Sequence, residues 1–216
     1  MSKTALVAGP TGLIGQLLIP RLLRHPAYAG VNALSRRPLA HDEARLRTLI
    51  TEYSDLSARS SELRADDVFC CLGTTMRAAG SREAFERVDF HMVLDLARAA
   101  HQAGARQFLV VSAAGASLKA GAYYSRVKAR MEQAVSQVPF EAVHIVRPSL
   151  LLGQRAERRP GERLAQLAAP LLAPLMAGPL LKYRPARGEE VADALVALAQ
   201  SKLRGVHIHH LPLEHL

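Results

Sequence analysis

A chain of 216 residues, 49% hydrophobic and 22% charged, suits one α/β domain with a sizeable core and leaves no room for a second full domain. Its formal net charge of +9 raises nucleic acid or an anionic membrane as partners. Neither fits: there is no continuous Lys/Arg run, no aromatic interleaving and no recognised nucleic-acid module, and Met1-Ser2-Lys3 precedes only a short apolar run that Gly9-Pro10 breaks, which is neither a signal peptide nor a membrane span.

In chain order, Ala5 to Ala8 reads as a short buried strand, and glycines follow at Gly9, Gly12 and Gly15. A helix is predicted from about Gly12 to Arg24, ending near His25-Pro26. Strand, glycine turn and helix start, in that order, are the context in which a glycine motif holds a phosphate. Glycine lets the backbone approach the anion, and the helix start offers unpaired N–H groups and the positive end of its dipole. The spacing is G-x-x-G-x-x-G, not the commoner G-x-G-x-x-G. Val31 to Leu34 is a second strand, so a right-handed β-α-β unit and a parallel sheet are complete by residue 35. It ends in Ser35-Arg36-Arg37-Pro38, with no acid between 31 and 40. At this position an acid binds a ribose hydroxyl and an arginine accommodates a 2′-phosphate. Arg36 and Arg37 therefore argue for NADP(H) over NAD(H).

A third strand is expected at 48–53 and a fourth at 66–71, the latter ending in the small-residue loop Leu72-Gly73-Thr74-Thr75. Ligands of open α/β sheets bind at such carboxyl ends. A long helix is predicted from Ser81 to Ala103, with Ser81 as its cap and Phe85, Val88, Met92, Leu96 and Ala99 on one apolar face. Then come a fifth strand at 107–112, a helix at 121–137, a sixth strand at 142–146, a helix at 189–200 and a short strand at 206–210. The apolar stretch 161–176 contains Pro170 and Pro174, which argue against one straight helix. The pattern as a whole is α/β: a Rossmann-type, doubly wound, mostly parallel sheet of about six to seven strands with helices on both faces. Residues 1–216 form one dinucleotide-binding domain in this reading, with a small substrate-side region around 153–187.

Cys70 and Cys71 are adjacent in sequence, so on a strand they point to opposite faces, which argues against a structural disulfide between them. They show no metal-ligand spacing, and reduced, cytosolic conditions are expected. His207, His209 and His210 lack the spacing of a zinc site, and His144 sits among apolar strand residues as a core histidine. No metal is expected.

A second constellation is Ser112, Tyr124 and Lys128. Tyr124 and Lys128 are four apart, which places phenol and ammonium on one helix face. A cation beside a phenol favours phenolate, the way a tyrosine serves as acid or base near neutral pH. Ser112, ending an apolar strand, is placed to hydrogen-bond a substrate oxygen.

With these stretches assembled, the chain resembles the short-chain dehydrogenase/reductase superfamily, and most closely its atypical, Tat-interacting oxidoreductase-like group. The resemblance runs from residue 4 to about 200 and rests on GPTGLIG, SRRP, FCCLGTT followed by AGS, FERVD, YSRVK and VRPSLLLGQRAERRPGE. It implies that Gly9, Thr11, Gly12, Leu13, Ile14 and Gly15 form the pyrophosphate turn and that Arg36 and Arg37 hold the 2′-phosphate. It further implies that Leu72 and Gly73 lie along the cofactor and that Leu151 and Arg159 close over the nicotinamide end; Asp55 either approaches the adenine, as acids after the third strand do in this superfamily, or caps a turn. Tyr124 would be the proton donor or acceptor, with Lys128 on the nicotinamide ribose. Where the group tends to carry two serines, this chain has Ser112-Ala113. The expected function is an oxidoreductase, dependent on NADP(H) with NAD(H) as the alternative cofactor, acting on the carbonyl or alcohol of an unidentified small molecule. The alternative, favoured by Ala113, is a nucleotide-binding redox sensor with little turnover.

Overall fold

The computed structural model describes residues 2–39, 43–53, 56–149, 151–152 and 184–213. Seven parallel strands make one sheet: β1 (Lys3–Ala8), β2 (Tyr28–Ser35), β3 (Leu46–Ile50), β4 (Asp67–Cys70), β5 (Gln107–Val111), β6 (Ala142–Arg147) and β9 (Gly205–His210). Their spatial order is β3-β2-β1-β4-β5-β6-β9. That is the doubly wound Rossmann order, with its reversal between β1 and β4. A separate two-stranded parallel ribbon joins β7 (Leu151–Leu152) to β8 (Ala186–Arg187).

The inner strands β1, β4, β5 and β6 are buried on both faces and read as continuous apolar runs, whereas the edge strands β3 and β9 leave Ile50, Val206 and Ile208 exposed. On one face Leu6, Val68, Phe108, Val110, Val143 and Ile145 pack under helices α4 (Met92–Gln102) and α5 (Tyr123–Val135). On the other, Ala5, Val7, Phe69, Leu109 and Val146 pack under α1 (Leu13–Arg24) and α6 (Gly188–Ala199). Helices α1 and α6 approach so closely that a Cβ on Gly188 would stand 2.8 Å from Leu17 Cδ1.

Three elements depart from the periodicity. Strand β3 ends at Ile50 and not at 53, because Thr51 N–H closes on Ser35 O and Tyr53 then turns the chain at φ 63°. Strand β2 starts three residues earlier than expected, where Lys3 pairs with Tyr28. The long helix is not uniform. A short turn α2 (Met76–Ala79) ends at Gly80, whose φ of 79° breaks it. Ser81 then caps α3 (Arg82–Glu86), accepting from Ala84 N–H at 3.1 Å, and a π turn at Arg87–His91 leads into α4. The stretch 161–176, Asp55 and Arg159 lie outside the described residues.

At the sheet edge, His144 is fully buried and its Nδ1 lies 3.1 Å from Nε2 of His209, with the His207 ring stacked at 5.9 Å. Burial first, and the neighbouring imidazoles second, push His144 down to about 4. An unfolded histidine titrates at about 6.5. Between these values the unfolded chain binds more protons, so His144 adds stability in full above pH 6.5 and withdraws it as the pH falls toward 4. Urea titrations at several pH values should therefore show stability falling across this window. The dependence should be shallower in His144→Gln.

Candidate functional site

The glycine turn is shaped by two close approaches. Gly9 has φ 78°, and a Cβ there would stand 2.8 Å from the carbonyl oxygen of Cys71. A Cβ on Gly15 would stand 2.2 Å from Gly9 O, inside any allowed contact. Gly9 and Gly15 are thus packing glycines that hold the turn against the end of β4 and against α1. Gly12 differs: it is exposed, and its nearest neighbour is Gly9 O at 3.4 Å. Its N–H donates to Gly9 O at 3.1 Å, it precedes the helix in extended conformation, and no side chain caps α1. The first turn carries no acid. The N–H groups at Leu13, Ile14 and Gly15 therefore open the helix without a side-chain acceptor, the local chemistry that receives a phosphate. Ile14 is buried and Leu13 lies against Gly188, so only their backbones can take part. Thr11 is exposed beside them, and its carbonyl accepts from Gln16 Nε2 at 3.0 Å.

Tyr53 is an unforeseen member of this region. Its hydroxyl donates to Leu34 O at 2.7 Å and accepts from Gly9 N–H at 3.4 Å, so one phenol braces the end of β2 against the turn. Burial pushes that phenol above its usual range. Arg36 and Arg37 follow directly on β2, exposed, and neither makes an ion pair among the described residues. The register places Leu34 beside Ala8, so both arginines stand on the edge that carries the turn.

The same edge carries the second constellation. Ser112 follows β5, its N–H donating to Val146 O at 2.7 Å. Its Oγ is buried and has no hydrogen-bond partner among the described residues. Tyr124 is half-buried in the first turn of α5, its ring 5.5 Å from that of Phe85. Lys128 lies one turn further, 3% exposed, with Nζ 2.8 Å from Oδ1 of Asp89. Burial opposes its charge, but the Asp89 carboxylate and the Tyr124 phenol outweigh burial and hold the ammonium above the usual lysine range. Asp89 Oδ2 accepts from Thr74 N–H at 2.8 Å, in the loop that carries Leu72 and Gly73. A further turn along α5, Glu132 is buried and accepts from Arg147 Nε of β6 at 2.9 Å.

Asp89 escaped the sequence reading although a signal existed. It lies four residues after Phe85 on an otherwise apolar face, where a lone carboxylate demands a partner. Leu151 falls on the β7–β8 ribbon, and most of the expected substrate-side region lies outside the described residues. No group of three or more His, Cys, Asp or Glu among the described residues is arranged to hold a metal ion. No helix among them is long and apolar enough to cross a membrane.

Comparison with known proteins agrees with the fold. A family model described as "NAD dependent epimerase/dehydratase family" matches residues 5–210. Protein fmp52, mitochondrial, of Emericella nidulans is 36% identical over 78% of this chain and 75% of its own. Protein FMP52, mitochondrial, of Eremothecium gossypii is 35% identical over 91% and 88%. Protein HTATIP2 of Rattus norvegicus is 32% identical over 76% and 69%, in keeping with the resemblance to the Tat-interacting group. Among solved structures, MoeE5 in complex with UDP-glucose and NAD superposes with TM-score 0.69 at 21% identity, covering 95% of this chain and 75% of that one. At that identity the likeness concerns the fold. The cytosolic expectation is overturned, since relatives at this identity are named as mitochondrial proteins. Its basis was the reduced cysteine pair, and two adjacent free thiols are compatible with any reducing compartment. On the family model and these relatives, the chain belongs to the NAD dependent epimerase/dehydratase family, an extended branch of the short-chain dehydrogenases/reductases.

Proposed function

We propose that the protein is an oxidoreductase that uses NADP(H) in preference to NAD(H) on the carbonyl or alcohol of a small molecule. The observation that carries this reading is the buried Ser112 hydroxyl, without a partner among the described residues, at the same sheet edge as the open glycine turn. A buried hydroxyl costs free energy until something bonds it, and a ligand oxygen at the mouth of the site supplies that partner. The residues suit a dinucleotide. Gly12 leaves room where a phosphate would sit, the start of α1 offers its N–H groups, and the Arg36 and Arg37 guanidiniums match a 2′-phosphate.

Bound there, nicotinamide supplies hydride exchange with a substrate carbon. The remaining tasks fall to the chain. Ser112 bonds the substrate oxygen and orients it. Tyr124 gives that oxygen a proton or takes one from it. Lys128, held charged by Asp89, supplies fixed positive charge beside the phenol and reaches the nicotinamide ribose. The redox-sensing alternative keeps the same binding residues and draws on Ala113, which leaves Ser112 without a second hydroxyl beside it.

Gly12→Val should fold and lose most of the thermal stabilisation that NADPH gives the parent, because only the phosphate side is filled. Equal NADPH-induced melting shifts in parent and variant would exclude the turn as the site. Changing Arg36 and Arg37 together to Ala should erase the preference for NADPH over NADH and leave NADH affinity nearly unchanged. Equal parental affinities in calorimetry would rule the preference out. Tyr124→Phe should bind NADPH almost normally yet lose roughly 10²–10⁴ in turnover, whereas Lys128→Met should lose binding and turnover together. A carbonyl panel with NADPH supplies the assay, and a Tyr124→Phe variant with most of its kcat would remove Tyr124 from the mechanism. Firm NADPH binding with no turnover across the panel would favour the sensor.

A further inference from the structure

The carboxylate of Asp89 is fully buried, comes from the π turn at Arg87–His91, and has its two oxygens on two different parts of the site. Oδ2 accepts the Thr74 N–H at 2.8 Å, and Oδ1 stands 2.8 Å from the Lys128 ammonium. Gly73 lies over the pair: a Cβ there would be 3.4 Å from Asp89 Oδ1 and 3.7 Å from Lys128 Nζ. The loop after β4, the helix before α4 and the lysine of α5 thus meet at one group.

We propose that Asp89 is the positioning residue of the nicotinamide half of the site: one oxygen fixes the loop bearing Leu72 and Gly73, and the other aims the Lys128 ammonium at the ribose. The proposal rests on the dinucleotide reading above. Its physical basis is that two buried, opposite charges cannot separate without a large desolvation penalty, so Lys128 has one orientation. At 2.8 Å the ammonium and Asp89 Oδ1 make a charge-assisted contact that takes up one side of the ammonium. An ammonium has three N–H donors, and with one directed at Asp89 the other two can turn toward a ligand. Because Oδ2 is occupied by a backbone N–H, Asp89 cannot swing away with the lysine. A π turn is the means of placing it, since the extra residue rotates the helix face where the carboxylate is needed.

The test compares two ligands in Asp89→Asn, which keeps the shape and an acceptor but removes the charge. NADPH affinity, by calorimetry, should fall about tenfold, the scale of a hydrogen bond to a charged group. Adenosine 2′,5′-bisphosphate, which lacks the nicotinamide ribose, should bind within about twofold of the parent. Equal losses for both ligands would mean a merely structural carboxylate, and no loss for either would also overturn the proposal. Should Asp89→Asn fail to fold, the pair Asp89→Asn with Lys128→Met removes both charges. Its NADPH affinity should match Lys128→Met alone within about twofold, and a further loss beyond that would defeat the proposal. A parent that binds neither NADPH nor NADH would instead overturn the dinucleotide reading itself, a result separate from any change between variants.

Discussion

A backbone carbonyl tolerates no side chain at 2.2 Å, and that limit at Gly15 governs the geometry of the whole amino-terminal half. Only a glycine lets α1 start directly against the carbonyl of Gly9. Only a glycine at Gly9, with φ 78°, lets the turn lie on the backbone of Cys71 at the end of β4. These two contacts bring β1, α1 and β4 together at the reversal of strand order, where such a sheet opens a crevice. Cys71 N–H donates to Ala8 O at 2.9 Å, so the loop that continues into Leu72 and Gly73 is tied to the same strand. The three glycines are therefore not equivalent. Two of them pack, and only at Gly12 would a Cβ meet its neighbours at ordinary contact distance, 3.4 Å from Gly9 O.

The second organising feature is the row Tyr124, Lys128 and Glu132 on α5. At four-residue spacing the three side chains share a helix face that turns toward the sheet and not toward solvent. Buried charges on such a face survive only with partners. Lys128 takes Asp89 from the neighbouring helix, and Glu132 takes Arg147 from β6. The helix that carries the phenol is thus held by charge at two successive turns, on elements that come from opposite sides of β5.

The opposite edge of the sheet is built differently and serves stability. Tyr28 hydroxyl donates to Asp67 Oδ2 at 2.6 Å, Lys3 Nζ lies 3.0 Å from the same oxygen, and Gln200 Nε2 donates to the Tyr28 hydroxyl at 3.0 Å. Burial raises Asp67 above the usual carboxylate range despite these partners. The network ties the first strand to the end of α6 and so closes the fold, at the sheet end away from the glycine turn.

Local patterns were enough to determine the sheet type, the strands of the main sheet, the helices on both faces and the glycine turn, and to single out Arg36, Arg37, Ser112, Tyr124 and Lys128 as candidates, but not the β7–β8 ribbon. Each depends on interactions within a few residues: apolar runs, glycine spacing, or a four-residue helical repeat. The family followed from the same stretches. Tertiary structure alone decided that Gly9 packs, because its neighbour there is the carbonyl of Cys71, over fifty residues away in the chain. It also decided that Tyr53 leaves the third strand to brace the turn, and that Asp89 meets both Thr74 and Lys128. Periodicity ranks a position by its own helix or strand. A carboxylate in an apolar face or a tyrosine at a strand end acquires its meaning only from the partner that folding brings to it.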